Sequence, residues 1–144
     1  MIIRQVQECD RCDLCTLLME AYNTNIEYID TKTSKDRFDK WMMTPNQYTF
    51  VGFMDEKLVA TYTITIEHKL IHNYGLVAHG EDLAVLKEYR GKGLAKRMME
   101  YGIEFCKQKG VYKLLTTCTE DMVEYYNKNL GTRVHEISLR RDFN

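Results

Sequence analysis

Between Lys87 and Arg97 the chain reads Lys-Glu-Tyr-Arg-Gly-Lys-Gly-Leu-Ala-Lys-Arg, five positive side chains against one negative. The apolar stretch Leu83-Ala84-Val85-Leu86 precedes it and an amphipathic run follows. Gly91 and Gly93 remove the Cβ where a helix would begin, so an anion can approach the amides closely. The first turn of a helix also offers unpaired N–H groups and the positive end of the dipole. Strand, Arg-Gly-x-Gly-x-Ala and helix in succession describe a cradle for a pyrophosphate. The spacing is not a Walker loop, because no Gly-Lys-Ser/Thr follows. Nor is it a dinucleotide fingerprint, since no acidic-ended βαβ unit follows at the right distance.

Arg90-Gly91-Lys92-Gly93-Leu94-Ala95 is similar to the signature of the GNAT superfamily of acetyl-CoA-dependent N-acetyltransferases. The resemblance implies that the amides of Gly91 through Lys96 hold the pyrophosphate of coenzyme A, with Arg90 also part of the cofactor site. It implies that Leu83, Ala84 and Val85 pair with the pantetheine through their backbone. Two central strands would splay apart there, and an N–H near Leu83 would polarise the thioester carbonyl.

A narrower resemblance lies in Glu67 to Gly75, His79 to Val85, Tyr112 to Glu120 and Val123 to Lys128. These blocks resemble eukaryotic-type glucosamine-6-phosphate N-acetyltransferases over roughly half the chain; the N-terminal third matches only in layout. Acetyl transfer needs a neutral amine, so a base must take its proton. Glu81 and Asp82 stand at the strand end facing the thioester, and Glu81 is the expected base, through a water if need be. Alternation sends the two side chains to opposite faces unless the strand bulges. Asp82 would hold a sugar hydroxyl or the ammonium. The family's thiolate-protonating Tyr matches Tyr126, with Tyr125 as its competitor. A Lys-x-x-His segment, here Lys69-Leu70-Ile71-His72, and a C-terminal Arg, either Arg140 or Arg141, would hold the sugar phosphate. Thr117 departs from the family, which has a sugar-contacting Asp there. A second departure is the extra residue before the Gly in Leu130-Gly131-Thr132.

These residues need elements to carry them. Ile2 to Val6 reads as a strand. Asp10 is the expected N-cap of a helix to Tyr22, with Cys12, Cys15, Leu18 and Met19 inward. Asn23 to Lys35 reads as loop, and Ser34 as cap of a helix over Lys35 to Met43. Tyr48 to Met54 and Leu58 to Ile66 read as a hairpin, the second strand half-buried by its alternation. Lys69 to His79 reads as an irregular connection and Glu81 to Leu86 as a strand. A helix from Gly93 to Lys109 presents Ala95, Met98, Met99, Gly102, Phe105 and Cys106 inward and ends on Gly110. Lys113 to Cys118, Asp121 to Asn129 and Val134 to Arg140 read as strand, helix and strand. The order is β-α-α-β-β-β-α-β-α-β, an α/β (α+β) chain whose mixed, mostly antiparallel sheet is flanked by helices, as in the GNAT fold.

The chain has 144 residues, a single domain by length, and a formal charge of −1. A dedicated nucleic-acid binder would need a basic surplus. The apolar runs fall far short of the ~18 residues of a membrane span, and the N-terminus lacks a signal-peptide pattern. Five Cys is an odd number that fits reduced thiols in the cytoplasm. Cys9-x-x-Cys12-x-x-Cys15 lacks a fourth ligand at a recognisable spacing, so these thiols read as small hydrophobes and no metal is expected. Cys106 and Cys118 have no motif-level His partner, which argues against a covalent acyl-cysteine route.

The reading is a direct acetyl transfer from acetyl-CoA to a primary amine, glucosamine 6-phosphate first, in the making of UDP-N-acetylglucosamine. The resemblance also implies a homodimer with the acceptor pocket near its interface. The alternatives are another small amine (polyamine, amino acid or aminoglycoside), or a non-catalytic acyl-CoA-binding module.

Overall fold

A computed structural model describes residues 1–26, 31–136 and 138–143. One five-stranded sheet runs in the order β1-β2-β3-β4-β5. Its strands are β1 (Ile2–Gln5), β2 (Gln47–Met54), β3 (Lys57–His68), β4 (Leu76–Val85) and β5 (Val111–Thr116). The first three pairings are antiparallel and β4–β5 is parallel. Helices α1 (Arg11–Tyr22), α2 (Lys32–Met42), α4 (Leu94–Gln108) and α5 (Val123–Leu130) complete it, with a short turn, α3 (Ile71–Tyr74), whose His72, Asn73 and Tyr74 carry left-handed φ. This is the expected mixed, mostly antiparallel class.

The core explains the strand patterns. Residues 58–64 of β3 are buried on both faces, not on one as the alternation suggested. Helices α1 and α4 both pack on β3 and β4, and the central strand has no solvent face. Its threonines are paired: Thr63 shares a 2.9 Å hydrogen bond with Thr49, and Thr61 donates to the Phe50 carbonyl. In α4 the buried stripe is Leu94, Met98, Met99, Gly102 and Cys106, close to expectation. Gly110 follows with φ 73°, the left-handed conformation that ends a helix.

Other expectations give way. Asp10 holds the expected N-cap position of α1, yet its carboxylate makes no cap bond there; it takes the Gln7 N–H and a two-pronged ion pair from Arg4. The buried face of α1 is Leu14, Cys15 and Leu17, so Cys12 and Met19 flank the stripe. Thr31, not Ser34, caps α2, accepting from the Ser34 N–H at 3.2 Å. The expected loop to Lys35 therefore ends early; its residues 27–30 lie outside the described ones. β4 begins at Leu76, five residues before the expected Glu81, so His79 lies on a strand. The strand expected over Val134 to Arg140 is not formed among the described residues, where 131–136 and 138–143 have no regular secondary structure and are exposed.

Candidate active site

The turn before α4 has the geometry of an anion cradle. Gly91 and Gly93 adopt φ 74° and 73°, conformations that side-chain-bearing residues enter only at a steric penalty. Beyond their chain neighbours, no atom of the described residues lies within 4 Å of where their Cβ atoms would be, so the turn has open space on that side. Gly93 is the N-cap of the 15-residue α4, and having no side chain it makes no cap bond to the first amides. Arg90 turns back, its Nε donating to the Val85 carbonyl at 3.0 Å, which pins the turn to the end of β4. Lys92 Nζ stands 4.8 Å over the Tyr89 ring, and Lys96 lies 3.9 Å from Glu100. Leu94 is buried beneath the cradle and Ala95 is half-buried.

Upstream, β4 and β5 part company. Their last paired residues are Gly80 and Thr116. From Glu81 to Val85, β4 keeps only β3 beside it, so the edge at Leu83, Ala84 and Val85 is open toward β5. A bulge marks the start of this segment: Thr63 faces Glu81 and Thr61 faces Ala84, so Tyr62 alone opposes Asp82 and Leu83. Asp82 bends it with φ 50°, a left-handed position that Asp tolerates better than most residues. The strict alternation of Glu81 and Asp82 is broken there. Asp82 lies at the surface, yet desolvation raises its pKa, and the charge of Glu81 adds to the effect.

Tyr126 enters from α5 and is 8% exposed. Desolvation raises its phenol pKa, and Cys118 adds to the rise, while the Thr116 hydroxyl pulls the other way. Tyr125 packs edge-on against it at 6.0 Å and is only half-buried. Tyr22, at the end of α1, feels both Asp82 and Tyr126 in its own raised pKa, after burial as the main cause. Tyr22 is thus near enough to Asp82 and Tyr126 to feel their charge, as Asp82 feels that of Glu81. Sequence reasoning missed Tyr22, which reads as an ordinary amphipathic-helix position.

The residues expected to hold a phosphate are more dispersed. Lys69 is ion-paired to Glu67, which also meets His79 Nε2 at 3.1 Å. His72 stacks on Tyr112 with ring centroids 4.5 Å apart. Leu70 and Ile71 are exposed, and Thr117 lies just past β5 on the surface. Arg140 binds Asp142, and Arg141 lies 5.4 Å over the Phe143 ring, so both are engaged within the C-terminal tail. Among the described residues, no three His, Cys, Asp or Glu converge as a metal site, and no helix is long and apolar enough to cross a membrane.

The pattern of the acetyltransferase (GNAT) family matches residues 13–132. The chain belongs to that family. A glucosamine 6-phosphate N-acetyltransferase 1 of Dictyostelium discoideum is 32% identical over 114 residues, covering 77% of this chain and 69% of the relative. The glucosamine 6-phosphate N-acetyltransferase of Arabidopsis thaliana is 36% identical over 72 residues, covering 50% of this chain. The match spans about half of that relative, 48% of its length. A crystal structure of the enzyme from Arabidopsis thaliana superposes with a TM-score of 0.85 at 28% identity, covering 99% of this chain and 98% of that one.

Proposed function

We propose that the protein transfers acetyl directly from acetyl-CoA to the amine of glucosamine 6-phosphate. The observation that carries this reading is the open edge of β4 running from the Glu81–Asp82 bulge to the Gly91–Gly93 cradle. An extended pantetheine can pair with Leu83, Ala84 and Val85 there, while its pyrophosphate meets the uncapped amides of α4. The open turn and the left-handed glycines fit that group. Bound acetyl-CoA supplies the activated acyl group.

The chain supplies the rest. A backbone N–H at Leu83 polarises the thioester carbonyl. Glu81 takes the ammonium proton, directly or through water, and Asp82 positions the amine. Tyr126, held protonated by its raised pKa, delivers a proton to the departing sulfur. Lys69 and His72 supply cationic and hydrogen-bonding groups for a phosphate, with Arg140 or Arg141 reaching them through the tail. The named relatives support the phosphosugar over a polyamine.

The same reading includes a homodimer. β5 leaves an outer sheet edge, and the tail exposes Val134, Leu139 and Phe143, apolar groups suited to a second copy. All five cysteines are free thiols, in keeping with a cytoplasmic setting. A thiol-release assay with acetyl-CoA and a panel of amines tests the acceptor. Glucosamine 6-phosphate should be used best; turnover of spermidine or an aminoglycoside in its place would refute the phosphosugar.

A further inference from the structure

Tyr62 occupies the middle of β3 and is only 2% exposed. It is the one residue of β3 that faces the Asp82–Leu83 bulge. Two glycines make room for its side chain. A Cβ on Gly102 of α4 would lie 2.6 Å from the ring, and a Cβ on Gly80 would lie 2.0 Å from the hydroxyl. The ring therefore fills the gap between sheet and α4, and its tip lies over Gly80. Gly80 is the last residue of β4 paired with β5, so the phenol ends where the two strands separate.

That hydroxyl makes no hydrogen bond to the described residues, and none of their fully buried polar side-chain atoms lacks a partner. The two facts together mean that the oxygen keeps a sliver of accessible surface although the rest of the side chain is sealed. Phenylalanine would fill the same volume without an O–H to desolvate. The hydroxyl, beside the residue where β4 and β5 separate, is left to find a partner outside the described side chains. Tyr126 belongs to the same buried cluster, and its charge is felt at Tyr62, whose pKa is raised chiefly by burial.

We propose that Tyr62 is a second phenol of the transfer site, donating a hydrogen bond to the thioester sulfur from the α4 side. The proposal rests on the acetyltransferase reading. In the reaction the amine nitrogen bonds to the acyl carbon and the carbon–sulfur bond breaks, its electron pair passing to sulfur. The amine proton goes to the acidic pair, and sulfur receives the Tyr126 proton, which solvent later restores. Tyr62 keeps its proton. Its hydrogen bond strengthens as sulfur gains charge, so it acts on the transition state more than on binding.

The test is Tyr62→Phe in the full chain, assayed by initial velocities with acetyl-CoA and glucosamine 6-phosphate. The expected result is a kcat lowered roughly tenfold or more, with the KM for acetyl-CoA nearly unchanged and the melting temperature equal to or above wild type. The Tyr62→Phe/Tyr126→Phe double variant should lose less than the product of the two single losses, because both phenols serve one sulfur. An unchanged kcat, or a change confined to KM, overturns the proposal while leaving the acetyltransferase reading standing. A wild-type chain that releases no CoA with any amine overturns both.

Discussion

The hydroxyl of Thr116 donates a 3.1 Å hydrogen bond to the carbonyl of Gly80, at the last rung before β4 and β5 diverge. One side chain thus closes the paired part of the sheet at the threshold of the opening. The same hydroxyl favours ionisation of Tyr126, against the burial that disfavours it. Thr116→Val keeps the shape and removes both effects. It should lower stability by about 1 kcal/mol, read by denaturant unfolding. With the counter-pull gone, the Tyr126 pKa rises further. The alkaline limb of the pH–rate profile, which reports loss of the phenolic proton, should move to higher pH.

Asp82 combines a left-handed backbone with a carboxyl whose pKa burial raises. A raised folded-state pKa means that the charged form is disfavoured by the fold. The penalty is present above the folded pKa and absent below the unfolded value. Asp82→Asn, which tolerates the same φ, should therefore raise the melting temperature at pH 7 and give no gain in strong acid. The same variant should reduce kcat, because the amine loses its charged neighbour. A gain in stability with full activity would remove Asp82 from the site.

Gly93 tests the cradle. Its φ of 73° and its place at the start of α4 make alanine unfavourable there. Gly93→Ala should destabilise the protein by roughly 1–2 kcal/mol. It should also weaken CoA binding by calorimetry, since the turn must shift and the amides with it. Gly110→Ala has a similar φ, 73°, at the far end of the helix. That variant should show the stability loss without the binding loss.

Arg4 and Asp10 hold β1 to the start of α1 through contacts of 2.6 and 2.7 Å. Burial alone would raise the pKa of Asp10, which is 4% exposed, but the Arg4 hydrogen bonds, the Gln7 N–H and the Arg4 charge outweigh it. The net shift is downward. The stabilisation is thus present above the unfolded carboxyl pKa and lost as pH falls through the folded one. Asp10→Ala should cost about 1–2 kcal/mol at pH 7, less than for a fully buried pair because Arg4 is one-third exposed, and the difference from wild type should shrink below about pH 4.

The glycine turn and α4 were legible because conformation and chemistry coincide in one short stretch. Only glycine enters the left-handed region cheaply, and the apolar stripe beyond it has helical spacing. The beginning of β4 was hidden by its approach. His72, Asn73 and Tyr74 all carry positive φ, a turn made without glycine that composition does not announce. The bulge at Asp82 was foreseen only as a condition, since register depends on pairing with a distant strand. Tyr62 looked like one more inward position in an alternating strand. Its meaning comes from Gly80 and Gly102, which meet it only in three dimensions. The final strand failed to appear because exposed Val134 and Leu139 have no strand of this chain beside them among the described residues.

The central claim is direct acetyl transfer on the open edge of β4. Initial velocities of thiol release, measured while acetyl-CoA and glucosamine 6-phosphate are varied together, test it most directly. The account predicts CoA release only when both are present, with double-reciprocal lines that intersect, as for two substrates bound at once. Parallel lines with an acetylated protein intermediate, or no CoA release at all, would contradict it.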